Sequence, residues 1–205
     1  MSVSSTDKYA ADVVVLPMVV QFAPVVTLSD DELYALAQNN RDLQIERNAR
    51  GELVFMPPTG TDTGNRNSEI GFQLRLWSKQ DKTGAVFDSS TGFSLPNGAV
   101  RSPDAAWVQG DRLSALTPAQ LAKFAPLCPD FVVELLSPTD SRRLLVEKME
   151  EYIANGARLG WLIDVREKRV DVYRPGEPVQ EIVGAERVSA DPELPGFELN
   201  LREIW

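Results

Sequence analysis

The sequence predicts a mixed α/β fold, a central sheet flanked by helices, entered by an extended N-terminal arm and carrying β-hairpin additions. Three observations predict it. Ser102-Pro103-Asp104-Ala105-Ala106-Trp107-Val108 and Phe131-Val132-Val133-Glu134-Leu135-Leu136-Ser137 are apolar runs of strand length, rich in Val, Trp and Phe. Thr117-Pro118 opens a helix-forming segment between them, so the pair reads as strand, crossover helix, strand, which predicts parallel neighbouring strands. Two further segments, from about Asn65 to Lys79 and from Asp140 onward, repeat apolar residues at helical spacing.

In chain order, residues 1–24 read as the arm and residues 25–205 as one domain. The apolar stretch Val13 to Val26 is broken by Pro17, Gln21 and Pro24 and is too short to span a bilayer. Such a segment is expected to cover this chain's sheet or a partner's in a two-fold homodimer. Ser29 followed by Asp30, Asp31 and Glu32 marks a helix start. Leu43 to Arg47 and Glu52 to Met56 alternate around Asn48-Ala49-Arg50-Gly51, a hairpin. Pro57 to Gly64 reads as a loop before the helix that carries Ile70, Leu74 and Trp77. Strands follow at Ala85 to Asp88 and Gly92 to Leu95, then the Asn97-Gly98 turn. The helix from Asp140 carries Leu144, Leu145, Met149, Tyr152 and Ile153 and stops at Asn155-Gly156. Gly160 to Val165 and Arg169 to Tyr173 make a hairpin, and β segments near Glu181 to Val183 and Phe197 to Leu201 close the chain.

Composition narrows the chemistry. The 205 residues are 43% hydrophobic, enough for one buried core. There is no histidine and one cysteine. Histidine-based acid-base catalysis, histidine-ligated metals, internal disulfides and multi-cysteine zinc sites are therefore excluded, leaving carboxylates, Lys, Ser and Tyr. The single Cys128 and the lack of a signal pattern lead us to expect a cytoplasmic protein. A net charge of −9 argues against broad coating of nucleic acid or membrane. Residues 41–82 are nonetheless close to neutral, with seven basic side chains against six acidic, which leaves room for a local basic groove.

The two strands single out two carboxylates. Asp104 heads one apolar run and Glu134 interrupts the other, and acids are rarely buried unless paired with a cation or metal. On neighbouring strands they would form a metal site; the plainer reading is a turn cap and an arginine pair. Lys148 poses the same question, being four residues from both Leu144 and Tyr152 on an apolar helix face. Snorkelling, or a pair with Glu151, is its ordinary explanation.

Several runs carry a family resemblance. Gly51-Glu-Leu-Val-Phe-Met-Pro-Pro-Thr-Gly60, Arg101-Ser-Pro-Asp-Ala-Ala-Trp-Val108, Pro129-Asp-Phe-Val-Val-Glu-Leu-Leu-Ser137, Lys148 with Tyr152, Gly156, Gly160-Trp-Leu-Ile-Asp164 and Leu194-Pro-Gly-Phe197 together resemble the Uma-two family. That family is similar to the restriction-endonuclease-like PD-(D/E)XK nuclease superfamily. The resemblance implies that Asp104 and Glu134 hold a divalent metal, Mg²⁺ or Mn²⁺, and that Glu69 on the preceding helix is a further metal-binding acid. Leu136 stands where the superfamily pattern has its lysine, so the resemblance makes Lys148 the candidate catalytic lysine. A solvated Glu69 paired with Arg66 or Gln73 is the alternative. Ser137, Asp140 and Tyr152 are candidates to hydrogen-bond the site. The implied function is metal-dependent endonuclease hydrolysis of nucleic acid, most readily DNA. The alternative is a non-catalytic nuclease-fold module for interaction or dimerisation, and divalent-metal binding separates the two.

Overall fold

A computed structural model of the chain describes residues 18–22 and 25–205. Strand β1 (Met18–Val20) lies antiparallel to β3 (Leu53–Met56), with Met18 opposite Phe55. This part of the expected arm covers the chain's own sheet; residues 1–17, 23 and 24 lie outside the described residues. Helix α1 (Asp30–Asn39) starts at Ser29, whose hydroxyl accepts the Glu32 amide while the Glu32 carboxylate accepts the Ser29 amide. That reciprocal cap satisfies two otherwise orphan donors. Strand β2 (Gln44–Arg47) pairs antiparallel with β3, and the hairpin closes through Gly51, whose φ of 78° favours a residue without Cβ.

Helix α2 (Thr61–Asp81) starts earlier than the periodicity indicates, because Gly60 serves as its N-cap and the polar run through Gly64 forms its first turn. The Gly64 amide donates to the Gly60 carbonyl at 2.9 Å. No apolar stripe marks that turn, so the sequence pattern shows only the part beyond it. Then follow β4 (Gly84–Asp88), β5 (Phe93–Ser94), β6 (Val100–Arg101) and β7 (Ala105–Gln109). Two short helices, α3 (Gly110–Ser114) and α4 (Pro118–Leu121), lead to β8 (Phe131–Leu136). Helix α5 (Arg142–Ala154) ends at Asn155, with Gly156 at φ 108°. Strands β9 (Leu159–Asp164), β10 (Arg169–Tyr173), β11 (Gln180–Val183), β12 (Arg187–Ser189) and β13 (Glu198–Asn200) complete the chain before a single 3₁₀ turn.

The central sheet has six strands in the order β11-β10-β9-β8-β7-β4. It is mixed: β8 and β9 are parallel and the other neighbours antiparallel. Helix α2 packs on one face, where Ile70 and Leu74 join Trp107, Phe131, Trp161 and Phe197. Helix α5 covers the other, where Met149 and Tyr152 meet Ala106, Val132 and Leu162. A second sheet, β1-β3-β2-β6-β5, stands beside this three-layer body.

One expected pairing is corrected. The strands following Asp104 and containing Glu134 are neighbours, but β7 and β8 run antiparallel, with Ala105 opposite Val133 and Trp107 opposite Phe131. A parallel crossover needs a connection that travels back along the full strand. Here α3 and α4 span five and four residues, and the expected helix through Phe124 stops at Leu121. The chain leaves β7 at Gln109 and re-enters beside it at Phe131. The parallel unit is instead β8-α5-β9, whose 13-residue helix is long enough to make the return.

Candidate active site

Asp104 sits just before β7, where the ladder with β8 runs out. Its Oδ2 accepts the Leu135 amide at 2.8 Å, a donor left over beyond the last β7–β8 pair, and its Oδ1 accepts Asn67 Nδ2 of α2 at 2.8 Å. Burial raises the Asp104 pKa; these donors and the charge on Lys148 offset part of that, while Asp140 adds to it.

Glu134 is 4% exposed on the α5 face of β8, with Val132 beside it on the same pleat. Its Oε1 lies 2.8 Å from Lys148 Nζ and accepts the Tyr152 hydroxyl at 3.0 Å. Lys148, Met149 and Tyr152 are the buried residues of α5, so one helix face supplies both polar partners. Lys148 does not pair with Glu151. Its Nζ spans Glu134 and Glu46 Oε1, the latter at 2.9 Å, and Glu151 pairs with Arg101 at 2.5 Å.

Glu46 was not singled out by the sequence. It is 1% exposed, and besides Lys148 it holds Arg101 Nη1 at 3.1 Å and accepts the Ser102 amide at 2.8 Å. It reaches the cluster because β2 is buried on both faces: Ile45 enters a core with Leu33 and Leu53, and Glu46 points the other way. Nothing local in Gln44-Ile45-Glu46-Arg47 distinguishes such an acid from a solvated one. Its partners are supplied by β6 and α5, far along the chain.

The charge states follow from these contacts. Burial pushes Glu134 up to about 8, with the neighbouring Asp104 and Glu46 carboxylates adding to it and Lys148 opposing. Burial works against a charged Lys148, but Glu134 and Glu46 more than offset it, so the ammonium is held above the ordinary lysine range. Burial likewise acts on Glu46, yet Lys148, Arg101 and the Ser102 amide hold it below the usual carboxylate value. Burial, then the two carboxylates, raises the Tyr152 phenol, which stays a donor.

Glu69 is placed elsewhere. Its carboxylate accepts Gln73 Nε2 at 2.9 Å, and the Gln73 amide in turn exchanges hydrogen bonds with the Asn200 backbone. Asn67, two residues earlier and about 200° around the helix, is the α2 residue that meets Asp104. The structure therefore brings Asp104, Glu134 and Lys148 together with Glu46, Asn67 and Tyr152, and leaves Glu69 in a different contact. Asp140 accepts the Ser137 amide at 2.8 Å at the turn into α5.

Comparison with known proteins decides the family. The Uma2 family model, described as "Putative restriction endonuclease", matches residues 30–202. The chain belongs to the Uma2 family. No curated protein matches it. A solved structure that resembles this Uma2 chain is from Anabaena variabilis ATCC 29413, described as a "putative nuclease belonging to DUF820". It is 19% identical with a TM-score of 0.71, covering 86% of this chain and 97% of that one. The shared fold is the restriction-endonuclease-like α/β fold.

The side chains suit a hard dication. Among the described residues no three Asp, Glu, His or Cys side chains form a metal cage. Mg²⁺ and Mn²⁺ need none, since they bind through one or two carboxylates and keep several waters. Four carboxylates of this Uma2 site, Asp104, Glu134, Glu46 and Glu151, meet two cations, Lys148 and Arg101. Two formal negative charges remain when all are ionised; burial is the main cause that raises Asp104 and Glu134, and for Glu134 the neighbouring carboxylates add to it. Leu135 and Leu136 line a cavity of about 170 Å³ whose wall includes Arg66, paired with Asp62, and Arg166, which donates to the Pro138 carbonyl. A larger open groove of about 480 Å³ on β10 and β11 lies away from this cluster, with its Arg174 bound to Glu193. Among the described residues no helix is long and apolar enough to cross a membrane.

Proposed function

We propose that this chain is a metal-dependent endonuclease that hydrolyses phosphodiester bonds of nucleic acid, with DNA as the substrate. The observation that carries the reading is the buried Lys148 ammonium, held by Glu134 beside Asp104. Six polar side chains from β2, α2, β6, β8, α5 and the entry to β7 converge there, a costly arrangement for a fold that needs only packing.

Asp104 and Glu134 are the residues that would hold Mg²⁺ or Mn²⁺. When bound, such a cation supplies an activated water and neutralises charge developing on the phosphate. Asp104 is fixed for this by the Leu135 amide and Asn67, Glu134 by Tyr152 and Lys148. Lys148 does not act as a base, because its two acids keep it protonated. Its Nζ is a compact positive charge next to Glu134 Oε1, suited to orienting the attacking water and to stabilising oxygens as they gain charge in the transition state. Glu46 keeps that charge in place from the opposite side.

Incubating the full chain with single- and double-stranded DNA at low salt, with Mg²⁺ or Mn²⁺ against chelator, tests this. Cation-dependent cleavage supports it. Failure to bind either cation at millimolar concentration removes it and leaves the nuclease-fold interaction module as the reading.

A further inference from the structure

Lys148 leaves aside the acid that helix spacing offers it. Glu151 lies three residues further along α5, a spacing at which a lysine and a glutamate on one helix ordinarily pair. That pair does not form, because Glu151 is taken from another element. Val100 of β6 enters the core with Ile45 and Leu53, so Arg101 points to the opposite face of the second sheet, the face of Glu46. There Arg101 Nη1 meets Glu46 Oε2 at 3.1 Å and Arg101 Nε meets Glu151 Oε2 at 2.5 Å. The other Glu151 oxygen accepts Asn97 Nδ2 at 3.0 Å. With Glu151 occupied, the Lys148 ammonium turns to Glu134 and Glu46, at 2.8 and 2.9 Å.

We propose that Arg101 directs Lys148 into the site by capturing Glu151, the acid that would otherwise draw it away. The inference rests on the nuclease reading above. A planar guanidinium holds two carboxylates in fixed directions, so one side chain fixes Glu151 on the helix and Glu46 on the sheet at once. The side chains of Arg101 and Glu151 are 12% and 13% exposed, so solvent and salt screen their attraction little. Without Arg101 one ammonium faces three acids, Glu134, Glu46 and Glu151, and the acid on its own helix competes for it. Arg101 acts through its two acids rather than on the reacting atoms, which makes it a positioning residue.

Single-turnover cleavage of DNA with Mn²⁺, and calorimetric Mn²⁺ affinity on the same preparations, compare the full-length parent, Arg101→Met, and Arg101→Met with Glu151→Gln. We expect Arg101→Met to lose turnover about tenfold or more with Mn²⁺ affinity kept within about twofold, and the added Glu151→Gln to bring turnover back to within about threefold of the parent. Undiminished turnover in Arg101→Met overturns the proposal, as does a double variant no better than the single one. A second readout needs no activity. Denaturant unfolding gives the coupling between Lys148 and Glu151 from Lys148→Met, Glu151→Gln and both together, in the parent and in the Arg101→Met background. As a factor in the folding constant, the coupling should be within about twofold of none with Arg101 present and about fivefold or more without it. Equal coupling in both backgrounds overturns the proposal. Where Arg101→Met does not fold, Arg101→Gln, which keeps a hydrogen-bond donor without the charge, takes its place in both measurements. A parent that cleaves nothing with cation removes the nuclease reading, and the unfolding cycle then decides the role of Arg101 by itself.

Discussion

Asp104 stands across an antiparallel strand pair from Glu134, one step beyond the Ala105–Val133 pair, and its carboxylate accepts the amide of Leu135 at 2.8 Å. The direction of pairing matters to the chemistry. In a parallel pair with Ala105 level with Phe131, the two acids would be separated by four residues of strand, about 13 Å. The antiparallel return makes them neighbours at the open end of β7, where the ladder has stopped and backbone donors are available to fix a carboxylate.

The first prediction concerns pH. Burial holds Glu134 at about 8 without a cation, against an ordinary 4.5, and raises Asp104 in the same direction. A carboxyl raised on folding stabilises the folded chain fully below its unfolded value and loses that stabilisation as pH climbs through the folded value. Glu46 has the opposite sign: held below its ordinary value, it contributes above that value and is lost only on acidification. In chelator, the melting temperature should therefore fall between about pH 5 and pH 8, and Glu134→Gln should flatten the slope. Thermal melts across that range check this; a parent whose melting temperature rises throughout contradicts it.

Lys148→Met removes one cation from between two buried acids. At neutral pH this should destabilise the fold by about 3–5 kcal/mol, the usual cost of leaving a buried charge without its partner. The loss should shrink at acid pH, where Glu46, the buried acid that Lys148 and Arg101 keep ionised, takes a proton. Adding Glu134→Gln to Lys148→Met should recover part of the stability, and a double-mutant cycle by denaturant unfolding measures the coupling. Additive effects would mean that the 2.8 Å contact carries no energy.

Glu46→Gln leaves the candidate metal ligands intact but releases Lys148 Nζ on one side. We expect Mn²⁺ affinity to stay within about twofold while turnover falls about tenfold or more, the pattern of a residue that positions another. Calorimetry and single-turnover cleavage on the same preparation read the two quantities. An equal loss in both would place Glu46 among the cation's ligands instead.

Much of this site was legible in the sequence. Asp104 and Glu134 stood out because each is an acid attached to an apolar strand, and Lys148 because it interrupts an apolar helix face; local pattern suffices for such conflicts. Glu46 did not stand out, since an acid on an alternating hairpin is ordinary until β6 and α5 close over it. Asn67 was hidden for a related reason: its partner is on another element, and an asparagine in a helix conflicts with nothing. The same limit applies to Glu69, as helical spacing gives the angle between two residues but not which faces the sheet. Strand direction is not legible locally, because the segment after Thr117 patterns as a crossover helix through Phe124 but its helix ends at Leu121, too short to cross.

Removal of residues 1–24 deletes β1, which covers the edge of β3 with three residue pairs. The shortened chain should melt at a lower temperature, and the newly exposed β3 edge should promote association. Sedimentation of both chains gives the outcome. An unchanged melting temperature would show that β1 contributes nothing to stability, and a halved mass would assign the segment to a two-fold interface.

The most direct test of the central claim is single-turnover cleavage of supercoiled plasmid and single-stranded DNA by the full chain, beside Asp104→Asn, each with Mg²⁺, with Mn²⁺ and with chelator. The account predicts cleavage by the parent only when cation is present, and a rate lower by about two orders of magnitude or more in Asp104→Asn. Cleavage that persists in chelator, or that Asp104→Asn leaves undiminished, would contradict it.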